Sequence, residues 1–150
     1  MDHSIKAGEL FLNGCNCAQA VFLAFSDVTG IDEKTAAKLS SPFGGGMGRM
    51  REVCGAVSGM LMVLGCLYGY DQQDGDAQKK QLYKDVQALA GKFREECGSI
   101  ICREILKNPP SDPNPTPRTA EFYAKRPCAR MVMTAARLMD EFIAEHPIEG

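Results

Sequence analysis

The side chains with chemistry to offer are seven cysteines, at positions 15, 17, 54, 66, 97, 102 and 128. A thiolate attacks disulfides and binds soft metals, whereas a neutral thiol does neither well. The useful question is therefore which positions favour the anion. Helix N-termini do, because the first turn carries partial positive charge and unpaired N–H groups. Helix-start signals stand beside four of the cysteines. Asn16 reads as an N-cap with Gln19 at the capping-box spacing, which puts Cys17 at N1. Cys54 falls in the first turn of a helix that follows a glycine-rich loop. Cys102 comes three residues after Ser99, read as a cap, and Cys128 follows Pro127, a residue favoured at N1. Four such first turns could gather sulfur at one end of a bundle. The competing reading is that these are reduced core cysteines, small hydrophobes that happen to begin helices. Cys66, twelve residues into an apolar helix, reads as core. Cys15 forms a C-x-C with Cys17, and Cys97 precedes Cys102 by five residues; either is a secondary candidate as a resolving thiol.

The loop ahead of Cys54 supplies the candidate cofactor-binding backbone: Gly44, Gly45, Gly46 and Gly48. Glycine permits positive φ and close backbone approach. Bare amides beside Cys54 would suit a thiolate or an inorganic sulfur. A phosphate-binding loop is not expected, because the Lys-Ser/Thr pair and the preceding strand are both missing. Nor does the loop fit the dinucleotide fingerprint, which opens a strand–turn–helix unit. Arg49 and Arg51 are candidate contacts for an anion or a charged cluster, with ordinary solvent exposure expected ahead of that role.

These residues need elements to position them, and the pattern predicts an all-α bundle of about six to seven helices in one domain spanning 1–150. Ser4 to Leu12 forms a short helix ended by Asn13-Gly14. A second runs from the Asn16 cap to about Phe25. Asp32 caps a third, whose narrow apolar face is Ala36, Ala37 and Leu39 and which closes at Ser41-Pro42. Val53 to Tyr68 forms a fourth, Gly-rich and apolar on every side, and therefore central. A fifth begins at Asp74 or Asp76, with Leu82, Val86, Leu89, Ala90 and Phe93 on one face, and ends at Cys97-Gly98. Ser99 opens a short sixth through Leu106. Thr119 to Lys125 adds a helical turn, and the last helix carries Met131, Ala135, Leu138 and Phe142 inward. Between them, Asn108 to Pro117 holds five prolines in ten residues, an extended surface connection. No strand alternation is visible.

Composition narrows the partners. A net charge of −2 offers no basic field for nucleic acid, and four Tyr, seven Phe and no Trp leave little for base stacking. The N-terminal stretch has no basic region followed by an apolar run, so no signal peptide is read. Together with an odd number of cysteines, this predicts a reducing cytoplasm. Val53 to Tyr70 lacks formal charge, but its glycines and cysteines favour a core helix over a membrane span. His3 and His146 lie near the termini and are expected to be solvated, as are nearly all the carboxylates, which leaves little support for a hydrolase.

The run Cys54-Gly55-Ala56-Val57-Ser58-Gly59 resembles the CGAxxG element of a family of redox-active proteins known by its C-GCAxxG-C-C pattern. The surrounding order is also similar: NCAQAV around Cys17, FGGGMGR before Cys54, CREIL at Cys102 and a late Cys128. The resemblance implies that Cys17, Cys54, Cys102 and Cys128 are the family's four characteristic cysteines. It further implies a redox or metal-linked role, because the family is similar to a cysteine-bearing region of split-Soret cytochromes, which suggests iron–sulfur binding. No C-x-x-C-H motif is present, so covalent haem attachment is not expected.

Three functions remain open on these residues. Cys17, Cys54, Cys102 and Cys128 could ligate an iron–sulfur cluster or another thiolate-bound metal such as zinc, with the loop glycines donating to sulfur. They could instead be redox thiols with no cofactor, Cys54 attacking and a second cysteine resolving. The third is a structural or interaction module in which the cysteines only pack. Electron transfer with a redox partner protein is expected ahead of turnover of a small substrate, and homo-oligomers are left open.

Overall fold

The computed structural model describes residues 2–148. Helix α1, His3–Leu12, starts where the Asp2 side chain accepts from the Ser4 N–H. Helix α2, Cys17–Ala24, has the full capping box: Asn16 Oδ1 accepts from Gln19 N at 2.9 Å and Gln19 Oε1 accepts from Asn16 N at 3.0 Å. A single turn, α3 (Ser26–Thr29), ends at Gly30, and α4 (Glu33–Ser40) is capped by Asp32. A 3₁₀ turn over Ser41–Phe43 leads into the glycine loop. Then come α5 (Gly55–Tyr68), α6 (Asp76–Cys97), α7 (Cys102–Ile105), α8 (Ala120–Lys125) and α9 (Cys128–Glu145). The fold is all-α, with nine helices among the described residues, six of them of eight residues or more. Its one β-type pairing there is an isolated antiparallel bridge between Val53 and Ile101.

Helices α1, α2, α5 and α9 enclose the core, where Phe11, Val21, Phe25, Met60, Leu64 and Met139 are 2 % exposed or less. Close approach of α5 to α2 depends on small residues. A Cβ on Gly59 would lie 2.7 Å from the Ala18 carbonyl oxygen and one on Gly55 would lie 3.1 Å from the Ala18 nitrogen, so backbone meets backbone. Gly91, by contrast, has open space around it in the middle of α6. Gly59→Ala is therefore expected to destabilise the fold by about 1–3 kcal/mol through overpacking. Gly91→Ala should stabilise it by about 0.5–1 kcal/mol through helix propensity. Urea midpoints of the two variants would show opposite shifts.

Five expectations need correction. Helix α5 is not buried all round: it starts at Gly55, and its far end exposes Gly65 and Cys66, so Cys66 is an exposed thiol rather than core. Leu39 is 55 % exposed, because only Ala36 of its expected face meets the core fully. Ser99 does not cap α7; its hydroxyl accepts from Ile101 N, and the helix begins at Cys102 itself. Pro127 takes the N-cap position of α9, with Cys128 first in the helix. His3 is buried, stacked on Phe25, with Nδ1 2.6 Å from Asp140 and Nε2 3.0 Å from Asp27, which pins α1 to α9 and α3. Among the described residues, no helix is long and apolar enough to cross a membrane.

Candidate functional site

Cys54 and Cys102 are separated by a long stretch of sequence, and the Val53–Ile101 bridge joins them. Cys54 N donates to Ile100 O at 2.7 Å, Cys102 N donates to Glu52 O at 2.6 Å, and Arg103 N donates to Arg51 O at 3.1 Å. Cys54 is thereby the N-cap residue of α5 and Cys102 the first residue of α7. Cys17 and Cys128 hold the first positions of α2 and α9. All four cysteines line one cavity of about 280 Å³. Cys15, Cys66 and Cys97 do not line it, and all seven thiols are free.

Gly44, Gly45 and Gly46 also line the cavity, whereas Gly48 does not. Gly46 is the tightest point. Its φ is +72°, and a Cβ there would stand 2.7 Å from the Cys102 Cβ and 2.8 Å from Glu52 N. Only glycine lets the loop press against Cys102 in this way. The loop then uses its own polar groups: Gly44, Gly45 and Gly46 carbonyls accept from Arg49, Arg51 and Glu52 N–H groups. Met47, Arg49 and Arg51 adopt positive φ despite carrying side chains, a conformation costing about 1 kcal/mol or more at each such residue.

What that contortion achieves is the placement of guanidinium groups, which overturns the expectation that Arg49 and Arg51 are solvated. Arg51 is 3 % exposed. Its Nε donates to Pro110 O at 2.9 Å and its Nη1 lies 3.7 Å from Cys102 Sγ, while Nη2 is buried with no partner. Arg49 reaches the Asp112 carbonyl and the Thr116 hydroxyl. Two further arginines missed in the sequence, Arg118 and Arg126, also line the cavity. Arg118 lies over the rings of Phe11 and Phe122, and Arg126 over Phe122. No acidic side chain is among the described residues that line the cavity. The available signal was local: Arg51 and Arg126 stand three and two residues ahead of Cys54 and Cys128.

This environment sorts the thiols. Hydrogen bonding with Cys17, foremost, and then Arg126, Arg118 and Arg51 hold Cys128 down at about 7 against the opposing effect of burial. Its partner Cys17 is pushed well above the usual thiol range, first by that same hydrogen bond and then by burial. Burial pushes Cys54 up to about 12. Cys102 is raised by burial, with Arg51 pulling the other way. Cys54 is thus not the low-pKa thiol expected from its helix start; Cys128 is. The reason is desolvation, which sequence position does not reveal and which outweighs the helix end at Cys54.

Residues 15–142 match the family model described as "Putative redox-active protein (C_GCAxxG_C_C)". The chain belongs to this family. No curated protein and no solved structure matches it. In C_GCAxxG_C_C terms the match contains all four pocket cysteines, and the chain writes Cys54-Gly55-Ala56 where the family's name has Gly-Cys-Ala. Among the described residues, no group of three or more His, Cys, Asp or Glu is close enough to hold a single metal ion. The four thiols share the lining of one cavity without forming such a group.

Proposed function

We propose that the pocket holds an iron–sulfur cluster on Cys17, Cys54, Cys102 and Cys128, and that the protein passes electrons to a redox partner. The observation that carries this reading is the convergence of four helix-start cysteines on one arginine-lined cavity. Four thiolates satisfy a cluster, and the arginines offset the negative charge that such a cluster carries. Arg51 beside Cys102 is placed to donate to sulfur, an interaction that sets potential. A reducing compartment such as the cytoplasm would suit seven free thiols. Anaerobic reconstitution with ferrous iron and sulfide is expected to give a coloured protein with visible absorption that bleaches on dithionite addition. A colourless product with no bound iron or acid-labile sulfide would overturn this reading.

One observation favours a second reading, the facing pair Cys17 and Cys128. In that reading the Cys128 thiolate attacks a partner's disulfide, forming a mixed disulfide and releasing the partner's first thiolate. Cys17, on losing its proton, attacks Cys128 Sγ and expels the second partner thiolate. The partner disulfide is reduced and the Cys17–Cys128 disulfide forms, with two electrons transferred. Peptide mapping of metal-free protein after mild disulfide treatment would show a Cys17–Cys128 link; random pairing that includes exposed Cys66 would count against it.

A further inference from the structure

Arg51 combines two properties that seldom occur together. It is almost wholly buried, and one of its guanidinium nitrogens lacks a partner. Leaving a buried charged donor unpaired is costly, and this one lines the cysteine cavity. Nor is it the cavity's only uncompensated cation. Arg49 has Asp112, with Nη2 at 3.9 Å from the carboxylate. Arg51, Arg118 and Arg126 have no carboxylate partner among the described residues. A cluster held by four thiolates carries a net charge of about −2. On the paired-thiol reading the oxidised Cys17–Cys128 disulfide carries no charge. On either reading positive charge is left over inside the cavity.

From this unpaired donor and the surplus charge we infer that the cavity binds a small oxyanion, phosphate-like or carboxylate, on Arg51 and Arg126 beside the thiols. Guanidinium forks match both head groups through paired N–H···O bonds. Thr116 and Asn16 add neutral polar side chains to the same wall, and Phe11, Ile105 and Leu106 give an apolar surface against which the rest of an organic anion would rest. The inference goes beyond the redox reading and stands with either form of it.

The test is a calorimetric titration of the full chain at constant ionic strength, with inorganic phosphate and separately with acetate, before and after iron–sulfide reconstitution. One saturable site per chain is expected for at least one of the two anions, and which anion binds identifies the head group. Arg126→Gln should weaken that binding about tenfold or more, the loss of a charge-assisted contact. Lys125→Gln, its exposed neighbour outside the cavity, should leave it unchanged. Arg51→Gln also removes the bond to Pro110 and could unfold the loop, so Arg126→Gln carries the test, with its helical circular dichroism checked. No saturable binding of either anion in either state, or full binding by Arg126→Gln, overturns the site. Iron content measured on the same samples separates the two ideas: anion binding without iron uptake removes only the cluster reading, and iron uptake without anion binding removes only this one.

Discussion

Metal-free, reduced protein treated with iodoacetamide at pH 7 is expected to lose the Cys128 thiol roughly 10² to 10³ times faster than the Cys54 thiol. The two have opposite surroundings although both start long helices. Cys128 is held at about 7 by the Cys17 hydrogen bond and the arginines, so about half of it is thiolate at that pH. Cys54, 6 % exposed and pushed up to about 12, is thiolate in about one molecule in 10⁵. The more basic thiolate is the better nucleophile, which returns about two powers of ten. The Cys128 rate should rise through pH 7 and then level, while that of Cys54 should still be climbing at pH 10. Arg126→Gln should move the Cys128 inflection upward. The same shift has a sign for stability: the folded value lies below that of an ordinary thiol, so Cys128 favours folding above pH 9 and that contribution fades as pH falls through about 7. Mass spectrometric quantification of each labelled peptide against pH checks all of this. Equal labelling of the two thiols would show that the arginine-lined pocket does not sort them.

Single replacement of Cys17, Cys54, Cys102 or Cys128 by Ser is expected to cut iron retention after reconstitution by about 100-fold or more. Loss of an outer partner of a metal ligand already costs 10–100-fold in affinity, so loss of a ligand should cost at least as much. Cys15→Ser, Cys66→Ser and Cys97→Ser should retain iron at the level of the unmodified chain, because none of these lines the cavity. Iron and acid-labile sulfide per chain, measured after desalting under argon, are the readout. No iron retained by the unmodified chain under the same conditions would instead leave the paired-thiol reading. Loss of iron in Cys66→Ser would break the four-cysteine ligand set, since that thiol is exposed on the far end of α5.

Local signals carried much of the fold. The Asn16–Gln19 capping box, the Asp32 cap, the Leu89 and Phe93 stripe and the Met131, Ala135, Leu138, Phe142 stripe are all where periodicity and capping chemistry place them. The helix starts at Cys17, Cys102 and Cys128, and the cap position of Cys54, came from the same signals to within two or three residues. What stayed hidden is what depends on distant parts of the chain. Exposure of Cys66 and Leu39 depends on which neighbours cover them, and no spacing rule counts neighbours. The burial of His3 follows from Asp27 and Asp140 arriving from two other helices. Arg51 looked like a solvated residue because arginines mostly are; Pro110 and Cys102, both more than fifty residues away in sequence, are what it meets in the fold.

Asn108 to Pro117 runs beside the cavity, with Pro115 and Thr116 in its wall and with the Asp112 and Pro110 carbonyls accepting from Arg49 and Arg51. Its anchors are therefore the same cations that face the sulfurs. Arg51 is a charged post shared by the strap and the thiol, since one guanidinium holds Pro110 O and lies beside Cys102 Sγ. Under the proposed redox function, a change of charge at Cys102 would act on Arg51 and through it on the exposed 108–117 segment, where a partner would meet it without touching the sulfur.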